Sequence, residues 1–317
     1  MGEAIRDPQF LWLFGGVLAL LVVATGVGAL LARTAKGEAS RAVISNLNAR
    51  ARSWWKMSAI FALTLLVGRI GSLVLFGLLS FLAPREYITL LPTRRGDHRT
   101  LFWSFFIITP LQYSLIGIGW YGLFAILIPV FAFVLVPTRI AMAGDTERFL
   151  KRAAKIQFGL MICAYSLSHA PALLMLEIPG YEGQDAKLLL HLVLVGQMSD
   201  VLQYVWGKLT GRHKIAPSVS PNKTWEGFLG GVAMATLLGM GLWWATPFTR
   251  AQAAGLSLVI TLMGFAGGLV MSAITRDVGV KDFGTAIEGH GGILDRIDSI
   301  CFAAPVFFHL VRYSLVP

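Results

Sequence analysis

Residues able to do chemistry crowd into two stretches of this 317-residue sequence. The first holds Asp200, Gly207, Lys208, Gly211 and Arg212. It ends in Ser220-Pro221-Asn222-Lys223-Thr224-Trp225-Glu226-Gly227. The second runs Ser272, Arg276, Asp277, Lys281, Asp282 and Gly284, then Gly289-His290-Gly291-Gly292, then Asp295-Arg296-Ile297-Asp298. Asp295 and Asp298 stand three apart, so on a helix they share a face. With Asp282 they form a set of hard oxygen donors suited to Mg²⁺, which takes a few carboxylates together with phosphate oxygens and water. Two carboxylates at a helix start also serve as plain caps. Lys223, Arg276, Lys281 and Arg296 are of the type that neutralises phosphates. The Gly-His-Gly-Gly run lets backbone amides approach an anion closely. Singly, an Asp-x-x-Asp is more often a cap and a glycine cluster more often a turn. Together they point to phosphoryl or nucleotidyl transfer, which is mostly positioning and charge neutralisation.

The elements that must position these groups are set by composition. Hydrophobic residues make up 56% and charged residues 14%, with a mean hydropathy of +0.68. Soluble domains carry about 25% charged residues, so this chain needs lipid, and both a soluble enzyme and a disordered chain are excluded. Lys and Arg exceed Asp and Glu by 27 to 17, a net +10. In so apolar a chain that excess belongs to loops that fix membrane orientation and meet anionic headgroups, not to nucleic acid. Cys163 and Cys301 sit in apolar runs, which argues against a disulfide framework.

Apolar windows recur at 11–32, 58–83, 101–117, 118–137, 156–176, 188–206, 227–247, 253–274 and 299–316. In lipid each must satisfy its own backbone as a helix; a barrel needs alternating segments of about ten residues. The expectation is an all-α polytopic membrane protein with about eight full transmembrane helices and a short helical hairpin near 58–83. No basic stretch precedes window 11–32, so it reads as a retained transmembrane helix.

The hairpin follows from charge. Loops 33–57 and 84–100 are both basic, yet only window 58–83 separates them. Positive loops belong inside. Twenty-six residues reach about 39 Å as one helix, too short for two full crossings of about 30 Å. Arg69 and Gly71 interrupt the run, so two short arms are expected with both ends cytoplasmic; the alternative is one ordinary span followed by a basic outside loop. With the hairpin, everything else alternates. The N-terminus, the acidic loop 177–187 and the C-terminus lie outside, and loops 138–155, 207–226 and 275–298 lie inside with the chemistry. The compact loops point to a bacterial inner membrane. Arg69, His169, His191 and Gln197 fall within apolar windows, where polar groups are costly and either functional or tied into helix–helix hydrogen bonds. Trp54, Trp55, Trp243 and Trp244 are read as interface anchors.

Taken as a set, Ser272, Arg276, Lys281, Asp282, Gly284, His290, Gly291, Gly292, Asp295, Arg296 and Asp298 resemble the signature of the CDP-diglyceride synthetases (phosphatidate cytidylyltransferases). The Ser220–Gly227 segment is similar to that family's second motif, and the Asp200 region and Arg85-Glu86-Tyr87 to further ones. The resemblance covers roughly residues 55–317. It suggests a membrane domain at 58–317 with its signature at 272–298, preceded by an added helix and basic loop at 1–57. It implies transfer of the cytidylyl group of CTP to phosphatidate, giving CDP-diacylglycerol and pyrophosphate. In that reading Mg²⁺ lies on Asp282, Asp295 and Asp298, with K⁺ as a possible second cation. Lys223, Arg276, Lys281, His290 and Arg296 are catalytic. Asp200, Ser220, Asn222, Thr224, Ser272, Gly291 and Gly292 bind substrate. CTP, phosphatidate and the bilayer are the expected partners, together with a possible second copy of the chain as a homodimer.

The sequence also departs from that pattern. Thr275 replaces the Lys before Arg276, and Glu288 precedes Gly289. Gly268 and Met271 stand where acidic residues are usual. Two other readings follow: a CTP-using lipid or polyprenol kinase, which would transfer the γ-phosphate, and a homologue that has lost catalysis. A transporter fits poorly, because the ionisable groups gather at one face and not at the midplane.

Overall fold

Long apolar runs leave the backbone no partner but itself, and they fold as helices. The computed structural model describes residues 7–34, 37–90, 93–287 and 291–316. Its helices are α1 (Pro8–Thr34), α2 (Glu38–Val67), α3 (Arg69–Thr89), α4 (Arg95–Gly117), α5 (Tyr121–Ala141), α6 (Phe149–Met175), α7 (Ala186–Thr210), α8 (Trp225–Gly241), α9 (Arg250–Asp277) and α10 (Leu294–Leu315). Single π turns at Ser104–Ile108, Leu127–Ala132 and Met161–Ser166 interrupt α4, α5 and α6. Among the described residues, seven helices are long and apolar enough to cross a membrane: α1, α3 to α7 and α9. The protein is an all-α polytopic membrane protein. Two further helices run alongside them, α8 with 17 residues and α10 opening on Asp295, Arg296 and Asp298.

The expected hairpin near 58–83 differs in one respect: its arms are not short. The chain breaks at Gly68, whose φ of 81° is a left-handed conformation that glycine adopts without steric cost. The first arm, α2, begins far upstream at Glu38, and α3 is itself 21 residues long. Helix formation needs no apolar side chains, so α2 continues through the polar stretch 38–57 that a hydropathy window omits. It also runs unbroken through the boundary drawn at residue 57. Trp55 Nε1 donates to Thr25 Oγ1 at 3.0 Å, which pairs α2 with α1 in antiparallel order.

Contacts sort the helix ends into two sides. On one side Arg69 donates to the carbonyl of Ile116 at 2.7 Å and lies near Asp185, while Lys187 pairs with Asp7 at 2.7 Å. The other side carries the ends of α3, α7 and α9, the starts of α8 and α10, and both chemistry-bearing stretches. The core between them is centred on α6, α7 and α10, with Leu167, Leu173, Leu188, Leu189, Phe307 and Phe308 fully buried.

Arg69, His169, His191 and Gln197, the polar residues singled out in the apolar windows, each make a hydrogen bond. His191 Nε2 pairs with Ser257 Oγ at 3.1 Å, His169 Nδ1 with the Tyr165 carbonyl at 2.8 Å, and Gln197 Nε2 donates to the Arg296 carbonyl at 3.1 Å. The structure also adds an element absent from the sequence reading. Loop 207–226 folds into an antiparallel β-hairpin, β1 (Lys214–Ala216) and β2 (Ser220–Thr224), with Lys214 opposite Thr224 and Ala216 opposite Ser220.

Candidate active site

The β-hairpin exists to deliver one side chain. Thr224 ends β2 in extended conformation and caps α8, its Oγ1 accepting from Gly227 N at 3.2 Å. Trp225 N donates to the His213 carbonyl at 2.9 Å. Glu226 accepts from Arg212 N at 3.0 Å and from His213 N at 3.2 Å, and its carboxylate pairs with His213 Nδ1. These backbone bonds hold the Glu226 pKa down at about 2. The start of α8 presses on the end of α7: a Cβ at Gly227 would stand 2.8 Å from the Cα of Gly207. So the hairpin is bolted to both helices, and Lys223, next to the cap, turns inward.

Lys223 Nζ lies 4.6 Å from the centroid of the Phe265 ring and 3.5 Å from the Phe265 carbonyl. Its electrostatic partners are Asp200 from α7 and Asp298 from α10. Burial pushes its pKa below the usual lysine value, and the two carboxylates oppose that shift. A lysine flanked by two acids is the centre of the cluster. Arg296 completes it as a second cation facing both Asp200 and Asp298. Its Nε is buried and makes no hydrogen bond to the described residues, an arrangement that costs about 1–3 kcal/mol unless an acceptor arrives.

Gly268 explains how Lys223 fits. A Cβ built there would stand 2.9 Å from Lys223 Nζ and 3.5 Å from Asp298 Oδ2. The ammonium thus occupies the space that a side chain at 268 would enter. Its neighbour Gly267 lets α9 close on α10, because a Cβ there would stand 2.6 Å from the Asp298 carbonyl.

A second cluster lies at the start of α10. Asp295 Oδ2 accepts from Phe283 N at 2.9 Å and from Gly292 N at 2.7 Å. Gly291, at φ 86°, brings Asp282 alongside: a Cβ there would stand 2.8 Å from Asp295 Oδ2 and 3.2 Å from the Asp282 Cβ. The three acids proposed for a metal are linked through Asp295, which feels the charge of both Asp282 and Asp298. Asp282 and Asp295 meet around Gly291, while Asp298 faces Asp200 and Lys223. Among the described residues no group of three His, Cys, Asp or Glu side chains is arranged to hold a metal ion.

The remaining candidates have definite places. Ser220 is half-buried and Asn222 exposed on β2. Ser272 Oγ donates back to the Gly268 carbonyl at 2.6 Å, and Thr275, buried, donates to the Ser272 carbonyl at 2.9 Å. Arg276 donates to the Val280 carbonyl at 2.6 Å and is exposed, as are Lys281 and Asp282. His290 lies outside the described residues, with Glu288 and Gly289.

Glu86 was not singled out as a site residue, although its Arg-Glu-Tyr motif was. Its carboxylate, carried on α3, accepts from Ile293 N and Leu294 N at 2.9 Å each. The neighbouring Tyr87 ring stacks on Phe283 with centroids 6.4 Å apart. The signal in sequence was an acidic residue beside the motif's tyrosine at the end of an apolar helix.

Comparison with known proteins bears on the same region. The model of the cytidylyltransferase family matches residues 48–314. An uncharacterized protein, YnbB of Escherichia coli (strain K12), is 42% identical over 267 residues, covering 83% of this chain and 87% of that protein. A phosphatidate cytidylyltransferase of Staphylococcus aureus (strain COL) is 38% identical over 128 residues, 40% of this chain and 49% of that protein. One of Staphylococcus epidermidis (strain ATCC 12228 / FDA PCI 1200) is 37% identical over 133 residues, 39% of this chain and 48% of that protein. The chain thus aligns with about half the length of these two enzymes.

Proposed function

Since the chain belongs to the cytidylyltransferase family and is a membrane-embedded nucleotidyltransferase, we propose that it transfers the cytidylyl group of CTP to phosphatidate. The products are CDP-diacylglycerol and pyrophosphate. One observation carries this reading: Asp200, Lys223, Arg296 and Asp298 converge from three separate elements, α7, β2 and α10, at one end of the bundle.

The reaction balances simply. An oxygen of the phosphatidate phosphate attacks the α-phosphorus of CTP in line. A new P–O bond forms, the bond to the bridging α–β oxygen breaks, and pyrophosphate leaves with the electron pair. Charge accumulates on the leaving group and on the equatorial oxygens. Lys223 and Arg296 sit where they neutralise it, and the Arg296 Nε, unpaired among the described residues, supplies a donor for a phosphate oxygen. Asp200 and Asp298 flank Lys223 and fix its position. Arg276 and Lys281, exposed on the same side, meet the outer phosphates of the nucleotide. In this reading the lipid's headgroup reaches this end of the bundle while its acyl chains stay in the bilayer, and the site faces the cytoplasm at a bacterial inner membrane, an orientation supported by the basic loops at this end.

Magnesium suits this donor set, because Mg²⁺ is usually held by one or two carboxylates plus substrate phosphates and not by an all-protein cage. Asp298 with Asp200, or Asp295 with Asp282, would hold it, and it would supply Lewis-acid neutralisation of the phosphates.

The test is product analysis. Purified protein in detergent is given labelled CTP, phosphatidate and Mg²⁺. CDP-diacylglycerol with an equal amount of pyrophosphate is expected. CDP with a newly phosphorylated lipid, or no product while a phosphatidate cytidylyltransferase turns over in parallel, would overturn the proposal.

A further inference from the structure

We infer that Glu86 is a positioning residue for the candidate active site, clamping the start of α10 from α3 and thereby setting where Asp295 and Asp298 stand. The contacts are independent of the reaction proposed above; the catalytic consequence rests on it.

The argument begins with unsatisfied backbone. The first amides of a helix have no partner within it, and an anion there is favoured by the helix dipole. At α10 the partner is the carboxylate of Glu86, more than 200 residues earlier in the chain. One oxygen accepts from Ile293 N and the other from Leu294 N, both at 2.9 Å. Two oxygens on consecutive amides fix the rotation of the helix as well as its position. Asp295 and Asp298 follow within four residues on that same helix.

The chain around the carboxylate is shaped to receive it. A Cβ at Gly284 would lie 3.0 Å from Glu86 Oε1 and 3.1 Å from its Cδ. A Cβ at Gly292 would lie 2.5 Å from Glu86 Oε2. Both glycines therefore leave room for a carboxylate arriving from another helix. The adjoining Tyr87 and Phe283 rings, 4% and 3% exposed, close the same joint with apolar surface. Asp295 then bonds the amides of Phe283 and Gly292, so the acid and the clamp grip one turn from opposite faces. Glu86 is half-buried, and among the described residues its hydrogen-bond partners are the backbone amides of α10's start, so it acts through α10.

The experiment combines amide hydrogen exchange with a double-mutant cycle. Glu86→Gln keeps the shape but loses one acceptor, and Glu86→Ala loses both. In each variant the amides of Ile293 and Leu294 should exchange faster, while peptides from α5 and α8 keep wild-type protection. Turnover should fall about 10- to 100-fold, the usual loss when a group that orients a reactive residue is removed. KM for CTP should stay within about twofold, since uniform binding is untouched. Gly284→Ala should slow turnover by itself, because its methyl meets the carboxylate. Combined with Glu86→Ala it should cost little further, because the nearest atom left is the Gly292 Cα at 3.4 Å. Unchanged exchange at Ile293 and Leu294 would overturn the inference. So would losses that multiply fully in the cycle, or faster exchange in every helix, which would make Glu86 a general prop. If wild-type protein makes no CDP-lipid, the proposed reaction fails, and the exchange data still decide whether the clamp exists.

Discussion

Two clusters of charge in this molecule look alike in composition and differ in closure. At one, Arg152 of α6 meets Asp97 at the start of α4, with Nη2 at 2.7 Å and Nε at 3.0 Å from Oδ1. Its Nη1 donates to the carbonyls of Asp145 and Glu147 at 3.1 and 2.9 Å, and Arg94 adds pairs to Asp145 and Glu147. Asp97 is 1% exposed and Arg152 6% exposed. Each nitrogen of that guanidinium has an acceptor. At the other cluster, Asp200 and Asp298 share Lys223, Arg296 Nε has no acceptor among the described residues, and Gly268 contributes no side chain. A closed network locks helices together. An open one leaves a donor for a phosphorylated substrate. Burial differs as well: Asp97 and Arg152 are buried, whereas Asp200 is exposed and Lys223, Arg296 and Asp298 are half-buried.

That contrast breaks or holds by mutation. Lys223→Met should cost about 10³-fold in turnover, since the group neutralises charge that grows in the transition state. The melting temperature should change little, because the cation already suffers from burial. Initial rates and a thermal scan on the same preparation check both. Arg152→Met should do the reverse. It leaves Asp97 buried without its partner, which costs about 3 kcal/mol or more in stability. The rate per folded molecule should remain that of the wild type, as denaturant unfolding and activity together would register.

Smaller effects sharpen the comparison. Thr224→Ala removes the α8 cap and should cost about 1 kcal/mol. Because Lys223 is the adjacent residue, it should also lower turnover, which a cap remote from the reaction centre would not do. The smallest effect concerns pH. Glu226 lies ahead of the apolar stretch that begins at Gly227, and its folded pKa is depressed to about 2 from an ordinary value of 4.5. A depressed acid contributes stability that is full above its unfolded pKa and lost as pH falls towards the folded one. Thermal midpoints should therefore decline between about pH 5 and 2, and Glu226→Gln should flatten that part of the curve.

Much of this was legible in sequence, and what was missed has physical causes. Continuous apolar runs announce helices, so the windows at 101–117 and 253–274 lie within α4 and α9, and those at 118–137 and 156–176 largely coincide with α5 and α6. Hydropathy could not show that α2 begins at Glu38, because a helix propagates through polar residues at little cost. The β-hairpin was hidden because Ser-Pro-Asn-Lys-Thr reads as a loop; its strands are held mainly by each other and by the cap at Thr224. Spacing grouped Asp295 with Asp298, since i and i+3 share a helix face. It could not reveal that the amides of Phe283 and Gly292 engage Asp295, or that Asp298 faces Asp200 almost a hundred residues away. Local pattern reports what one element presents. Which elements meet depends on packing, and Gly227, Gly267 and Gly284 record that only as missing side chains.

The central claim is that the open cluster carries the chemistry and the closed one does not. The most direct measurement compares Asp298→Asn and Asp97→Asn in one assay of CDP-diacylglycerol formation, with each rate divided by the folded fraction. The account predicts turnover down at least about 10²-fold for Asp298→Asn, with its fold intact, and near-normal turnover per folded molecule for Asp97→Asn. Wild-type turnover in folded Asp298→Asn would contradict it.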